Sequence, residues 1–230
     1  MSGLLNTPIF GILLSVIAFE IGILISRKTK NPLVNPLLVA IIIVIVFLLG
    51  LGIPKEKYDL GGSFILFFLG PATVVLAVPL YKQIELLKKD FVPIIVGILA
   101  GSVTSIMSVI LLSKLFRIDL SVAVSMLPKS VTTAIGMEIS KEIGGIVSLS
   151  VAVIVLTGIT GAVIGPGLLK LFRIKDDVAQ GVAIGTAAHA VGTSKAMELG
   201  ETQGAMSGLS IGIAGIATVI LVPLLMGLLG

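Results

Sequence analysis

Two lysines, Lys129 and Lys195, lie in otherwise apolar stretches of the sequence. An ammonium group costs roughly 2.5–3.5 kcal/mol at the centre of a membrane helix, so such a residue usually faces a cavity and meets a partner there. Lys195 could instead pair with Glu198, three residues later on a helix, whereas Lys129 has no comparable acid nearby. The two lysines together predict a site for a small anion.

Each lysine adjoins residues that interrupt a helix. Proline lacks a backbone donor and disfavours helical geometry at the preceding residue, so Ser130 could cap a new half-helix. The free N–H groups at the start of a half-helix attract anions. The predicted substrate-binding residues are Pro128, Lys129, Ser130, Thr132 and Thr133 at the first interruption, and Gly192, Thr193, Ser194 and Lys195 at the second.

The two interruptions belong to segments that resemble each other at an offset of 60 residues. Residues 131–138 align with residues 191–198, each ending in Met-Glu, and the match continues without gaps to Ser150 and Ser210. Chance similarity between Gly-, Ala- and Val-rich stretches is the alternative. Corresponding interrupted segments are the sequence feature that best marks the binding site of a secondary transporter.

A third interruption, at Gly70, Pro71, Ala72 and Thr73, lies within the apolar run 63–81. Pro71 could equally kink a continuous helix, because neighbouring helices can satisfy the freed carbonyl. We expect these four residues to complete the wall of the anion site.

Four titratable residues are candidates for carrying a coupled proton: His189, Glu138, Glu198 and Glu20. His189 would titrate near neutral pH, although a lone histidine could be a hydrogen-bonded packing residue. Glu138 could lie at the membrane surface, and Glu20 could join two helices when protonated. With one His, no Cys and no cluster of acids, the sequence predicts no metal site, no cofactor and no enzymatic activity.

The elements that hold these residues must be membrane helices. The 230-residue chain is 56% hydrophobic and 12% charged, about half the charge of an average soluble domain. Apolar runs of about 20 residues can span a bilayer, and such runs cover residues 8–26, 37–53, 63–81, 91–113, 144–169 and 204–230. Residues 118–140 and 178–199 are the interrupted segments.

We therefore predict an all-α polytopic membrane protein of seven to eight membrane segments, an inverted-repeat transporter with discontinuous helices. It would form a single domain over residues 1–230, with approximate halves 1–115 and 118–230.

The loops richest in Lys and Arg, within residues 27–30, 82–89 and 170–175, should remain cytoplasmic. All three can do so only if residues 118–140 form a re-entrant hairpin, which is therefore favoured over a crossing helix. The N-terminus would then lie outside. Because the net charge of +4 resides in such loops, the lipid bilayer, and not nucleic acid, is the predicted partner.

Three blocks of the sequence, residues 69–81, 128–140 and 189–205, resemble the LrgB/CidB family of bacterial membrane proteins. The resemblance covers most of the chain. One departure is Ala134-Ile135-Gly136, where the family pattern has a second proline after the paired threonines.

The resemblance implies two functions. Family members were named antiholin-like or holin-like proteins that affect cell lysis and murein hydrolase activity. Related proteins, among them a plastid glycolate/glycerate translocator, carry small monocarboxylates, with pyruvate proposed for bacterial members. The resemblance further implies a bacterial cytoplasmic membrane, a small LrgA/CidA-type membrane partner and a likeness to exchangers with crossed broken helices. We also expect a homo-oligomer.

We expect a proton-coupled secondary transporter of small 2-oxo or 2-hydroxy monocarboxylates, such as pyruvate, lactate, glycolate or glycerate. The alternative is an antiholin-like regulator of murein hydrolase activity and cell lysis that does not transport, or half of a transporter that is inactive without its partner. A pore should carry a continuous polar stripe along one span, whereas polarity here is concentrated at the interruptions.

Overall fold

A computed structural model describes residues 5–29, 34–68, 71, 81–82 and 84–229. The secondary structure of these residues is helical throughout, in agreement with the expected all-α class. In chain order the helices are α1 (Pro8–Thr29), α2 (Pro36–Gly50), α3 (Lys55–Phe67), α4 (Ile84–Lys89), α5 (Phe91–Leu115), α6 (Leu120–Met126), α7 (Thr133–Glu142), α8 (Val147–Leu171), α9 (Asp177–Leu199) and α10 (Glu201–Leu225), followed by a 3-10 turn (Met226–Leu229).

Within the described ranges, four helices are long and apolar enough to cross a membrane: α1, α5, α8, and α10 with its 3-10 turn. The chain is therefore an all-helical membrane protein. α2 is apolar but has only 15 residues, fewer than the roughly 20 that a span needs. Within the run expected at 63–81, α3 ends at Phe67, and residues 69–70 and 72–80 lie outside the described residues.

Polar side chains define where several helices begin. Asn35 accepts a hydrogen bond from the Leu37 amide at 2.9 Å and thereby caps α2, whose first residue is a proline. Asp119 caps α6 and Asp176 caps α9 in the same way, with acceptor distances of 2.9 and 2.8 Å. Such a side chain satisfies one of the backbone donors that a helix N-terminus leaves free.

The chain divides into two compact units, residues 1–75 and 76–230. α5 belongs to the second unit, where it packs against α9 and α10. In the first unit, α1 packs against α2 and α3. The backbones of α1 and α3 meet at Gly11 and Gly61, and the Ser15 and Tyr58 hydroxyls are hydrogen-bonded nearby at 2.9 Å. Small residues allow this close approach in lipid.

In the second unit, α6 and α7 form an antiparallel pair, the first hairpin (residues 120–142). Ser150, at the start of α8, donates to the Ser125 carbonyl and to the Ser140 hydroxyl, both at 2.7 Å. Farther along, Gly136 of α7 lies against Pro128 and against Ile154 of α8. Both arms of the hairpin therefore lie beside the N-terminal part of α8.

α9 also reverses direction and forms the second hairpin (residues 177–199). His189 has φ 43° and ψ −138°, outside helical geometry. A Cβ on Gly192 would lie 3.1 Å from the Ile184 carbonyl oxygen, whereas residues eight apart on a straight helix are separated by about 12 Å. The chain after His189 therefore runs back along residues 177–188.

α10 runs in the same direction as the outgoing arm of the second hairpin. A Cβ on Gly181 would lie 2.5 Å from the Gln203 carbonyl oxygen, and Gly185 lies against Ser207. The Gln203 side chain donates to Asp177 at 2.8 Å. Since apolar burial does not drive helix association in lipid, these close backbone contacts and hydrogen bonds hold the second unit together.

Candidate functional site

The first tip (residues 127–132) joins the two arms of the first hairpin. Pro128 cannot continue α6 because it lacks a backbone donor, and Leu127 is the last residue with helical geometry. α7 then begins after Thr132, which has extended geometry and makes no capping bond through its side chain. The expectation that Ser130 caps this half-helix is wrong, because its hydroxyl is bonded to other side chains.

Lys129, Ser105 and Ser130 form a closed triangle of hydrogen bonds at the first tip. The Lys129 Nζ lies 2.8 Å from the Ser105 Oγ and 3.2 Å from the Ser130 Oγ. The two hydroxyl oxygens are 2.8 Å apart. Ser105 lies in the middle of α5 and was not among the predicted site residues. Gly97, Gly101 and Ser105 recur at a spacing of four, and this stripe of small residues was the signal that could have indicated it.

Lys129 borders two cavities within the second unit. The first has a volume of about 700 Å³ and runs between α5 and α9, and the second has a volume of about 570 Å³ and runs between α8 and α9. Besides Asp90 and Asp176, the polar side chains that line the first cavity are Thr104, Ser105, Ser108, Lys129, Ser130 and Thr186. Among the described residues that line the second cavity, Lys129 alone is charged. A small anion that enters the first cavity would therefore meet one cation with hydroxyl groups beside it.

Thr186 adds an unpartnered hydroxyl to the first cavity. The residue is 5% exposed, and its Oγ1 makes no hydrogen bond to any residue that the structure describes. A buried hydroxyl without a partner costs roughly 1–3 kcal/mol, which makes it a candidate for bonding a ligand. The Ser102 hydroxyl is also buried and unpartnered, but Ser102 does not line either cavity.

At the second tip (His189), close packing buries the imidazole. The His189 Nε2 lies 2.9 Å from the Ile154 carbonyl oxygen, and the side chain is 3% exposed. A carbonyl can only accept, so Nε2 carries a proton and donates it. The imidazole lies against Gly158, where a Cβ would come within 2.7 Å of the His189 Cε1. These contacts hold the ring between α8 and α9.

The helix break expected at Gly192, Thr193 and Ser194 lies instead at His189. Gly192 packs on the outgoing arm of α9. The Thr193 hydroxyl donates to the His189 carbonyl at 3.0 Å and lies 2.7 Å from the Ser207 hydroxyl, while Ser194 is exposed. A threonine that bonds to the carbonyl four residues earlier lies within a helix and does not cap a new one, and the non-helical residue is His189.

The structure does not bring the two lysines of the sequence prediction together at either cavity. The Lys195 Nζ lies 2.6 Å from a Glu198 carboxylate oxygen, in the i,i+3 ion pair that was the open alternative. Both side chains are partly exposed, and neither residue lines the two cavities.

The other predicted residues that the structure describes line neither cavity. Thr132 and Thr133 are half-buried at the start of α7, and Glu138 and Glu20 are exposed on α7 and α1. Pro71 is exposed, and Gly70, Ala72 and Thr73 lie outside the described residues. Where the chain is described, no three His, Cys, Asp or Glu side chains form a group that could hold a metal ion.

The fold defines this chain as an all-helical membrane protein with a partly buried lysine at the tip of a helical hairpin. Residues 15–228 match the LrgB-like family, and the chain belongs to this family. It is 40% identical over 225 residues to proteins named "Antiholin-like protein LrgB" from Bacillus cereus (strain B4264) and Bacillus anthracis (strain CDC 684 / NRRL 3495). These alignments cover 97% of this chain and 98% of each relative. No solved structure matches the chain.

Proposed function

We propose that this protein is a secondary transporter of small monocarboxylates, of the size of pyruvate, lactate, glycolate or glycerate. The observation that carries the proposal is the triangle of Lys129, Ser105 and Ser130 beside the two cavities. An ammonium group flanked by hydroxyl donors suits a carboxylate, since hydrogen bonds between charged partners are roughly twice as strong as neutral ones. Thr186 offers a further hydroxyl to the bound anion.

The opposed orientation of the two hairpins, as in an inverted repeat, favours transport of the anion over binding without transport. The first hairpin has its base at the N-terminus of α8, whereas the second packs its outgoing arm antiparallel to α8, with Ile184 opposite Gly165 and Ala188 opposite Gly161. The two hairpins thus approach from opposite ends and meet near Ile154, which contacts both. Transporters with such repeats bind their substrates near the bilayer midplane between interrupted helices.

The charge distribution supports an orientation with the first cavity open to the cytoplasm. Asp90 and Asp176, which directly precede α5 and α9, line this cavity. Lys88 and Lys89 precede Asp90, and the loop before Asp176 contains basic residues that include Lys175. Loops rich in lysine and arginine remain on the cytoplasmic side. In the bacterial cytoplasmic membrane that the family resemblance implies, the anion site would therefore be accessible from inside.

The direct test is uptake of labelled pyruvate, lactate and glycolate into proteoliposomes that contain this protein alone. We expect saturable uptake, and we expect Lys129→Met to abolish it because the variant keeps the length of the side chain but removes the charge. Lys195→Met is the matched control, because Lys195 is already paired with Glu198 outside both cavities. Equal uptake by Lys129→Met and wild type would rule out the proposed site.

The second candidate function is antiholin-like regulation of murein hydrolase activity and cell lysis. The names of the relatives favour it, and this function would involve a small LrgA/CidA-type membrane partner or a homo-oligomer. Cells that express wild type or Lys129→Met can be compared for lysis, with and without such a partner. This function would be favoured over transport if Lys129→Met still regulates cell lysis and if proteoliposomes with the wild-type protein take up none of the labelled monocarboxylates.

A further inference from the structure

The Lys129 amine has neutral partners on every side that the structure describes. Its two hydrogen-bond partners are the hydroxyls of Ser105 and Ser130. Ion pairs among the described residues join Lys55 to Asp59, Lys82 to Glu201 and Lys195 to Glu198. None of them includes Lys129, so no carboxylate holds this side chain in its charged form.

The titratable groups on the neighbouring helices lie away from the first tip or are otherwise engaged. On α5, Asp90 is fifteen residues from Ser105, or about 22 Å along a helix. On α9, Asp176 caps the helix and His189 donates to the Ile154 carbonyl. On α7, Glu138 is exposed. The remaining ionisable groups of these helices and of α8 line neither cavity: Lys114, Lys141, Glu142, Lys170, Asp177, Lys195 and Glu198.

Hydroxyl groups can partner both protonation states of a lysine. They accept from an ammonium group, and after rotation they can donate to the lone pair of a neutral amine. A carboxylate only accepts and would hold the charged form. The triangle can therefore keep Lys129 hydrogen-bonded whether or not it carries the proton, provided that Ser105 and Ser130 rotate.

We propose that Lys129 carries the coupled proton as well as the anion, so that one proton and one monocarboxylate bind and leave together. The neutral amine takes up a proton as the carboxylate binds beside it, and it returns that proton to water when the anion leaves. This inference rests on the proposed transport function. It assigns the coupling to Lys129 instead of His189, Glu138, Glu198 or Glu20.

Linkage makes the coupling measurable at equilibrium. If the anion favours the ammonium form, protonation must raise anion affinity by the same factor. Glycolate is ionised throughout pH 6–9, because carboxyl groups titrate near pH 4. Any pH dependence of its binding in this range therefore comes from the protein. Once the empty site has lost its proton, glycolate affinity should fall about tenfold per pH unit.

The first experiment is calorimetric titration of the purified full chain with glycolate, in pairs of buffers with different ionisation heats. We expect proton uptake that approaches one per bound glycolate as the pH rises from 6 to 9. Binding without proton uptake anywhere in this range would overturn the inference but leave the anion site standing. If glycolate, lactate and pyruvate all fail to bind, the proposed function itself fails.

The second experiment uses Lys129→Arg, because a guanidinium remains charged throughout this range. The variant should exchange internal for external glycolate but should neither accumulate glycolate in a pH gradient nor acidify the vesicle interior. Lys195→Arg is the control and should keep one proton per anion. Proton-driven accumulation by Lys129→Arg would overturn the inference. If this variant does not bind glycolate, the number of protons that wild type takes up per bound glycolate decides whether the inference stands.

Discussion

The two hairpin tips occupy corresponding positions in the 60-residue repeat, since Lys129 aligns with His189, but their surroundings differ. Lys129 borders two cavities and is bonded to rotatable hydroxyls. His189 is 3% exposed and donates to one fixed carbonyl. A reversal of the helical chain thus creates a potential site in both repeats, and the neighbouring helix determines whether it stays open.

The neighbouring helices explain the difference. Beside the first tip, α5 offers Ser105, whose hydroxyl can donate or accept. Beside the second tip, α8 offers the Ile154 carbonyl, which only accepts, and Gly158, whose missing side chain makes room for the imidazole. The first tip should therefore tolerate changes of charge, whereas the second should tolerate few changes of any kind.

The largest expected effect is that of His189→Lys, which would bury an ammonium group with a single carbonyl partner. An uncompensated buried charge costs about 3–5 kcal/mol. We expect the variant to lose its folded, monodisperse state in detergent, as measured by thermal unfolding and size-exclusion chromatography. Lys129→His, the reciprocal change at the open tip, should remain folded. A His189→Lys protein as stable as wild type would contradict the contrast between the tips.

Gly158→Ala tests the tight packing of the second tip with a smaller change. The new methyl group would lie 2.7 Å from the His189 Cε1, and overpacking of this kind costs about 1–3 kcal/mol. Gly167→Ala, in the same helix, is the matched control because nothing lies within 4 Å of its Cβ position. We expect a lower unfolding temperature only for Gly158→Ala. Equal values for the two variants would show that the second tip is loosely packed.

Thr186 and Thr193 lie on opposite arms of the second hairpin and allow a comparison of two hydroxyls. Thr193→Val would break the bond to Ser207 and should cost about 1 kcal/mol of stability. Thr186→Val removes an unpartnered hydroxyl and should leave stability unchanged or slightly higher. Chemical unfolding of both variants measures the difference. An equal loss in both would mean that Thr186 has a structural partner.

The smallest expected effect is that of Lys195→Met on stability. The Lys195–Glu198 pair is partly exposed, with 39% and 66% of the two side chains accessible. Such pairs contribute at most about 1 kcal/mol. We expect an unfolding temperature close to that of wild type. A large drop would indicate that this pair, in addition to His189, fixes the returning arm of the second hairpin.

Some parts of the site could be predicted because they depend on local chemistry. Pro128 must end a helix wherever it lies, and an isolated lysine in an apolar stretch indicates a cavity. The expectation of two interrupted segments was therefore sound for residues 118–140 and 178–199. The position of the second break was wrong, because the hydroxyls of Thr193 and Ser194 bond to the preceding turn instead of starting a new helix.

Other parts could not be predicted because they depend on contacts distant in sequence. The Lys129–Ser105 bond joins residues 24 apart, and the stripe of Gly97, Gly101 and Ser105 marks a face of small residues without indicating which side chain it meets. Thr186 is distinguished only by its place in the cavity wall together with the unpartnered state of its hydroxyl among the described residues. From the sequence, Lys195 could pair with either a bound anion or Glu198. In the folded protein it forms an ion pair with Glu198.

The sequence by itself determined that this chain forms apolar helices, that two segments are interrupted, and that Lys129 needs a polar environment. These properties follow from composition and from the backbone chemistry of single residues. Only the tertiary structure decided which tip opens onto a cavity and which is closed around an imidazole. The physical reason is that the state of a buried polar group depends on its hydrogen-bond partners, and for both tips these partners come from another helix.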